Sequence, residues 1–277
     1  MSQNVVINGY HFAQLQQLDE MKPRWLACCV NLDLKGTILL SPEGVNIALS
    51  GPQAKIQQFV QWFKGDVPAL QDIWIKTMQV VELPFTKMKV KVKSEIISML
   101  APDIAPINRS ARNLSPEDFK QWLDEKKTMQ VLDTRNDYEY EFGTFESAID
   151  LGIPRFKEFK QGLKRANLDK SQPVVTFCTG GVRCEKAALW MEEQGFEEVY
   201  QLEGGILNYF NAVGHDHYNG ECFVFDDRIS VNPGGQETAT KQCDGCSRPV
   251  WAQDQHSADY VPGSHCPKCV GEVQNVA

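Results

Sequence analysis

Pro173-Val174-Val175-Thr176-Phe177-Cys178-Thr179-Gly180-Gly181-Val182-Arg183-Cys184-Glu185-Lys186-Ala187-Ala188-Leu189-Trp190-Met191 is the stretch that decides the fold. Its first five residues form a short apolar run, as expected of a buried strand. The stretch from Cys184 to Met191 reads as a helix, with Gly195 as its stop. Cys178 stands where the strand ends and the helix begins. Backbone N–H groups and the positive end of the helix dipole converge there, and both favour a thiolate. Gly180 and Gly181 allow the φ > 0 turns that curl amides around an anion. Thr179, Gly180, Gly181 and Val182 therefore form a candidate anion cradle around Cys178, a candidate nucleophile. Arg183 adds a fixed positive charge with donors for an anionic substrate. Cys184, six residues beyond Cys178, is a candidate resolving thiol. The plainer alternative is an inert core cysteine, but such cysteines rarely sit in Gly-Gly-x-Arg loops.

The rest of the chain sets the context. It has 277 residues, 42% hydrophobic and 23% charged, with a net charge of −8. That length suits two or three domains, and the composition excludes disordered, collagen-like and low-complexity classes. No apolar run approaches the ~20 residues needed to cross a bilayer, so no membrane partner is expected. The start has no basic stretch leading into an apolar one, so no signal peptide is expected. Nine cysteines without an export signal point to the cytoplasm and to thiols that are catalytic or metal-bound.

Charge is unevenly spread. Residues 1–113 carry a net +3, residues 114–217 a net −7 and the remainder −4. A mildly basic first third on an acidic protein suits a polyanionic partner. Lys87, Lys89, Lys91 and Lys93 alternate with Met88, Val90 and Val92, which places four ammonium groups on one strand face. Two readings stand: a solvated edge strand that uses lysine against aggregation, or a nucleic-acid contact.

The first hundred residues alternate strands and helices. Val5–Ile7 reads as a strand, Phe12–Met21 as a helix and Trp25–Leu32 as a buried strand. Thr37–Leu40 and Val45–Ser50 follow as strands across the turn Ser41-Pro42-Glu43-Gly44. Ile56, Phe59, Val60 and Phe63 form a helical stripe after Pro52. Ile73–Val81 and the lysine segment complete a ferredoxin-like α+β pattern over 1–100. Cys28 and Cys29 read as core residues. Prolines 102 and 106 mark a linker over 101–114. Ser115-Pro116-Glu117-Asp118 then opens a helix with a cap hydroxyl and a proline at the first helical position.

Near the C-terminus, Cys243-Asp244-Gly245-Cys246 and Cys266-Pro267-Lys268-Cys269 are separated by 19 residues, the spacing of a four-thiolate zinc site. Zinc would supply a centre for a small polar segment; an iron–sulfur cluster or free thiols are the alternatives. His215 and His217 form a His-x-His pair without a third ligand and read as a solvated helix end. Cys222 reads as packed in an apolar strand.

The central region resembles rhodanese domains. Asp133-Thr134-Arg135 and Glu139-Tyr140 resemble that family's Asp-x-Arg-x-x-x-Glu-Tyr signature. Gly143-Thr144-Phe145-Glu146-Ser147-Ala148 resembles the segment that follows, with Thr144 where histidine is usual and Ser147 where glycine is usual. Leu202-Glu203-Gly204-Gly205-Ile206 resembles the closing strand exit. The resemblance implies a doubly wound parallel sheet over 115–215, with 216–277 as a cysteine-rich segment, and Cys178 as a sulfur-accepting nucleophile. Thiol phosphatases share the strand–loop–helix logic but separate cysteine and arginine by five residues, against four here.

Across the whole chain, Glu43-Gly44-Val45-Asn46, Ser94-Glu95-Ile96, the extended Cys178–Lys186 loop, Gly220–Arg228 and the terminal cysteine pairs resemble the bacterial tRNA wobble-uridine hydroxylases. That resemblance implies an acylphosphatase-like first domain that binds tRNA at its anticodon loop. It also implies oxygen-dependent conversion of uridine 34 to 5-hydroxyuridine, with molecular oxygen as co-substrate. A rhodanese-type sulfurtransferase acting through a Cys178 persulfide and a non-catalytic tRNA-binding module remain alternatives. No flavin or nicotinamide fingerprint is present, and no motif identifies an electron donor. Catalysis requires a sulfur that is ionised and open to the base.

Overall fold

The computed structural model describes residues 3–104, 106–107 and 109–273. They fall into two compact units. One comprises the residues up to Arg112 together with Val182–Val199; the other comprises Asn113–Gly181 and the chain from Tyr200 onward.

The first unit holds a five-stranded sheet. Its strands are β1 (Asn4–Phe12), β2 (Lys35–Ser41), β3 (Gly44–Pro52), β4 (Trp74–Val80) and β5 (Met88–Val92), in the order β4-β1-β3-β2-β5. Helices α1 (Leu18–Asn31) and α2 (Gln53–Asp66) complete the α+β layers. β2 and β3 are antiparallel across the turn predicted at 41–44, and β2 pairs with β5 in parallel. Alternation sorts the side chains. Ile7, Ile38, Ile47 and Val90 enter one apolar core with Phe59 and Phe63 of α2, each large side chain contributing roughly 1.5–3 kcal/mol of burial.

Two expectations for this region fail. Trp25–Leu32 is part of α1, not a strand, and Phe12–Met21 is not one helix, because β1 runs on to Phe12 and α1 starts only at Leu18. The apolar run Trp25–Val30 looks strand-like by composition, yet Met21, Trp25 and Cys29, spaced four apart, are the buried set, which is a helical stripe. Trp25 packs edge-on to Phe59 with ring centroids 5.8 Å apart. Its indole N–H donates to Asp66 Oδ2 at 3.2 Å.

The second unit contains β7 (Gln130–Asp133) and β9 (Val174–Phe177), which run parallel. They belong to a four-stranded sheet of order β6-β10-β9-β7, where β6 is Arg112–Leu114 and β10 is Val199–Leu202. The segment expected to be linker thus ends in a strand. α3 (Pro116–Asp124) begins as the sequence requires: Ser115 Oγ accepts from the Asp118 N–H at 3.0 Å, with Pro116 at the first position. Phe145 centres an edge-to-face aromatic cluster, 4.9 Å from Phe177, 4.8 Å from Tyr209 and 5.1 Å from Tyr218. Phe177, one residue before Cys178, is thereby held edge-on against Phe145, which in turn packs on Tyr209 and Tyr218.

Candidate active site

β9 ends at Phe177 and helix α6 (Val182–Glu193) starts at Val182, so the loop is Cys178–Gly181, two residues shorter than expected: Val182 and Arg183 belong to the helix, which was expected to begin at Cys184. Cys178 Sγ accepts a hydrogen bond from the Gly181 N–H at 3.0 Å, a contact that stabilises negative charge on sulfur. Gly181 has φ +101°, the left-handed backbone that the loop requires. The loop's carbonyls are also held: Cys178 O accepts from Ile206 N at 3.0 Å and Thr179 O from Leu207 N at 3.2 Å, tying it to α7 (Gly205–Val213). A Cβ on Gly205 would lie 2.3 Å from the Cys178 carbonyl oxygen, and Gly205 has φ +68°, so only glycine fits there. Thr179 Oγ1 donates to Phe223 O at 3.3 Å.

The open sulfur that the sequence leads one to expect is not what the structure holds. Cys178 is 1% exposed. Gly205 also lies close to the rest of the loop backbone, where a Cβ would sit 2.9 Å from Gly181 N and 2.9 Å from Thr179 O. Arg183 lies on the first turn of α6 and is 5% exposed, and Cys184, next along the helix, is fully buried.

Beneath the loop lies the rhodanese-like signature. Arg135 is fully buried and grips Asp133 through its Nε at 2.9 Å and its Nη2 at 2.6 Å, and it donates a further bond of 2.6 Å to Gly143 O. Burial works against its charge, but Asp133 outweighs that and holds the guanidinium well above its ordinary range. Thr144, standing where histidine is usual, donates to Asp133 Oδ2 at 3.0 Å. The guanidinium carbon is 5.8 Å from the Phe177 ring centroid. Cys222, in β12 (Cys222–Phe223), is fully buried, and burial raises its thiol to about 12 despite the opposing Arg135 charge. It is a packed thiol, as is Cys29, which burial also raises to about 12.

A charged cluster that sequence reading did not foresee lies in the first unit. Lys186 is 0% exposed, with Nζ 2.7 Å from Glu43 Oε2 and 2.8 Å from Glu95 Oε1. Glu43 also accepts from Ile96 N at 2.8 Å, and Glu95 from Leu100 N at 3.1 Å. Burial pushes the Glu43 carboxyl up. For Glu95 burial pulls the same way, but Lys186 and the backbone N–H groups of Ala101 and Leu100 outweigh it, and its carboxyl lies below the usual range. The signal was present: three of the motifs quoted for the whole-chain resemblance each contain one member of this cluster.

The lysine segment forms edge strand β5. Val90 is buried while Lys87, Lys89, Lys91 and Lys93 are exposed, and among the described residues none of the four makes an ion pair. The terminal cysteines also converge. Their four sulfurs lie within 4.8 Å of one another, with Cys243–Cys269 at 3.8 Å, Cys246–Cys266 at 3.7 Å and Cys266–Cys269 at 3.9 Å. A tetrahedral zinc with ~2.3 Å bonds needs sulfurs ~3.8 Å apart, so the set fits a metal ion. Gly245 is required by this fold-back, since a Cβ there would lie 2.4 Å from Ser264 O. His217 instead meets two carboxylates, Asp124 at 2.7 Å and Glu146 at 3.5 Å. Among the described residues, no helix is long and apolar enough to cross a membrane.

Comparison with known proteins places these features together. Residues 4–96 match the UPF0176 acylphosphatase-like domain and residues 115–212 the rhodanese-like domain. A protein of Cupriavidus pinatubonensis is 43% identical over 281 residues, covering 99% of both chains; one of Cupriavidus taiwanensis is 45% identical over 276, covering 97% of both. Both are named tRNA uridine(34) hydroxylase. The chain belongs to the tRNA uridine(34) hydroxylase family. Among solved structures, the rhodanese-like domain of an Anabaena protein is similar over 39% of this chain and 78% of its own, with 22% identity and a TM-score of 0.34. As a member of the hydroxylase family, the chain combines an acylphosphatase-like domain, a rhodanese-like domain with a parallel sheet and a four-cysteine cluster able to hold a metal.

Proposed function

We propose that this protein is an oxidoreductase that hydroxylates uridine 34 of tRNA to 5-hydroxyuridine, with Cys178 as nucleophile and molecular oxygen as co-substrate. The observation that carries this reading is the kinship over 99% of the chain with proteins named for that reaction. The thiol loop supplies the chemistry. Uridine C5 is not acidic enough to oxidise unaided. Addition of the Cys178 thiolate to C6 forms an S–C6 bond and moves the C5–C6 electron pair toward the C4 oxygen as an enolate. C5 then takes one oxygen atom, loses its proton and expels the thiolate, which restores the double bond. The second oxygen atom leaves as water with two electrons from an external reductant. Arg183 and the loop amides stabilise the enolate oxygen. Because Cys178 is 1% exposed, base entry includes an opening step. Wobble bases are unpaired in free tRNA, which suits insertion into such a loop.

Cys243, Cys246, Cys266 and Cys269 hold a structural zinc in this reading, Lys87, Lys89, Lys91 and Lys93 contact tRNA near the anticodon loop, and Cys184 resolves an oxidised Cys178. A tRNA substrate suits a cytoplasmic protein. The test is mass spectrometry of wobble nucleosides from cells lacking the protein and cells restored with wild type or Cys178→Ser. The expected result is 5-hydroxyuridine restored by wild type only. Restoration by Cys178→Ser, or thiosulfate turnover by the protein that rivals its turnover of tRNA, would overturn the reading, the latter in favour of a sulfurtransferase.

A further inference from the structure

The sheet of the first unit has two faces of opposite character. One carries the apolar core. On the other, strand register aligns Lys89, Thr37, Ala48, Asn8 and Lys76 in one row across all five strands. A parallel row runs from Lys91 through Leu39, Asn46 and Tyr10 to Trp74. Neither row contains a carboxylate, on a chain whose net charge is −8. The second row is tied down near its middle, where the Tyr10 hydroxyl donates to Glu185 at 3.3 Å and Asn46 Nδ2 to Ile96 O at 3.5 Å. The first row and the two edges are half-buried or exposed.

Trp74 is the feature that needs an explanation. It is 48% exposed on edge strand β4, where a large bare aromatic invites unwanted pairing. The Lys76 ammonium lies 4.9 Å from its ring centroid, a cation held against a π-face. Opposite, across four strand spacings of ~4.8 Å or ~19 Å in all, stand Lys89 and Lys91. Lysines at both edges, the polar side chains of Thr37 and Asn8 between them and an indole at one edge match the requirements of unpaired nucleotides: phosphates at the cations, base edges at Asn8 and Thr37, and one base on the indole.

We propose that this sheet face binds single-stranded RNA, with Trp74 stacking one unpaired base, Lys76 meeting a phosphate beside that base, and Lys89 and Lys91 meeting phosphates farther along the strand at the opposite edge. The inference rests on tRNA being the substrate and names the surface that holds its unpaired loop. A duplex cannot use the indole, because its bases are already stacked, so the face selects loop over stem.

The test uses the full chain, a fluorescently labelled anticodon stem-loop and a blunt duplex of the stem, titrated at several salt concentrations. The stem-loop is expected to bind at least about tenfold more tightly than the duplex. Trp74→Ala should weaken stem-loop binding by about tenfold, the scale of one lost stack, while leaving the salt dependence unchanged; Trp74→Phe should retain most of the affinity. Lys89→Ala should instead lower the log–log salt slope by ~0.7, the value of one single-strand phosphate. Equal affinity for duplex and stem-loop, or wild-type binding by Trp74→Ala, would overturn the proposal. Trp74-dependent binding without 5-hydroxyuridine in restored cells would uphold this surface and refute the hydroxylation reading alone.

Discussion

Lys186 Nζ lies 2.7 Å from Glu43 Oε2, and neither the ammonium nor the carboxylate has meaningful access to solvent. Glu43 sits at the turn between β2 and β3; Lys186 sits on α6, four residues past the start of the helix that follows the thiol loop. Glu95 lies 2.8 Å from the same ammonium, so one cation is shared by two acids. Buried clusters of this kind are costly to break, because the member left behind remains charged and dry.

Lys186→Met should therefore destabilise the protein by about 3–5 kcal/mol near pH 7. The cost should depend on pH in a defined direction. In the wild type, Glu95 lies below its ordinary 4.5, so its contribution is complete above that value and is lost on acidification. Without Lys186, burial and mutual repulsion raise the same carboxyl, and the folded variant binds protons more readily than the unfolded chain. The gap in thermal stability between variant and wild type should shrink as pH falls from 7 toward 4.5. A pH-independent gap in thermal melts, or a Lys186→Met protein as stable as the wild type, would refute the assignment.

Ser147 has φ +60° on an exposed turn, where the resembled family usually has glycine. A left-handed backbone costs a residue with a Cβ roughly 1–2 kcal/mol, offset by the greater freedom glycine loses on folding, roughly 0.5–1 kcal/mol. Ser147→Gly should raise stability by about 0.5–1 kcal/mol, read as an increased denaturation midpoint. A lowered midpoint would show that the serine side chain contributes more than its backbone costs.

A stem-loop RNA carrying 5-fluorouridine at position 34 should trap the C6 adduct, since fluorine cannot leave C5 as the proton does. Mass spectrometry should find one RNA per chain on a Cys178 peptide, and none in Cys178→Ser. Turnover of normal tRNA without any such adduct would eliminate C6 addition.

Protein purified without chelator should carry about one zinc per chain, as a four-thiolate site holds one ion. Cys266→Ser should lose the metal and expose the segment around β14 (Lys241–Gln242) and β15 (Pro249–Val250) to proteolysis. Full stability and proteolytic resistance without metal would show that the segment folds without it.

The strand–loop–helix around Cys178 was legible because each residue type there answers a local need: apolar strand, left-handed glycine, helix start. The alternation of β5 and the spacing of the terminal cysteines were legible for the same reason. The α1 error arose where a run of apolar residues satisfied both periods and only packing against Phe59 and Asp66 decided between them. The burial of Cys178 was not legible, because it depends on tertiary packing that brings distant residues onto the loop, as it brings Gly205, 27 positions along the chain, against the Cys178 carbonyl. Lys186 was likewise hidden: a lysine in a helix reads as a solvent-facing residue until acids 143 and 91 positions away are known to surround it.

That pairing bears on how the molecule can be cut. Residues 182–199 lie within the segment that matches the rhodanese-like model, yet they pack with the amino-terminal residues. A fragment excised at 115–215 would carry Lys186 away from both its acids, and the complementary fragment would keep two carboxylates with no counter-ion. Neither half is a self-sufficient piece, so the two regions must be inherited, expressed and engineered as a single polypeptide.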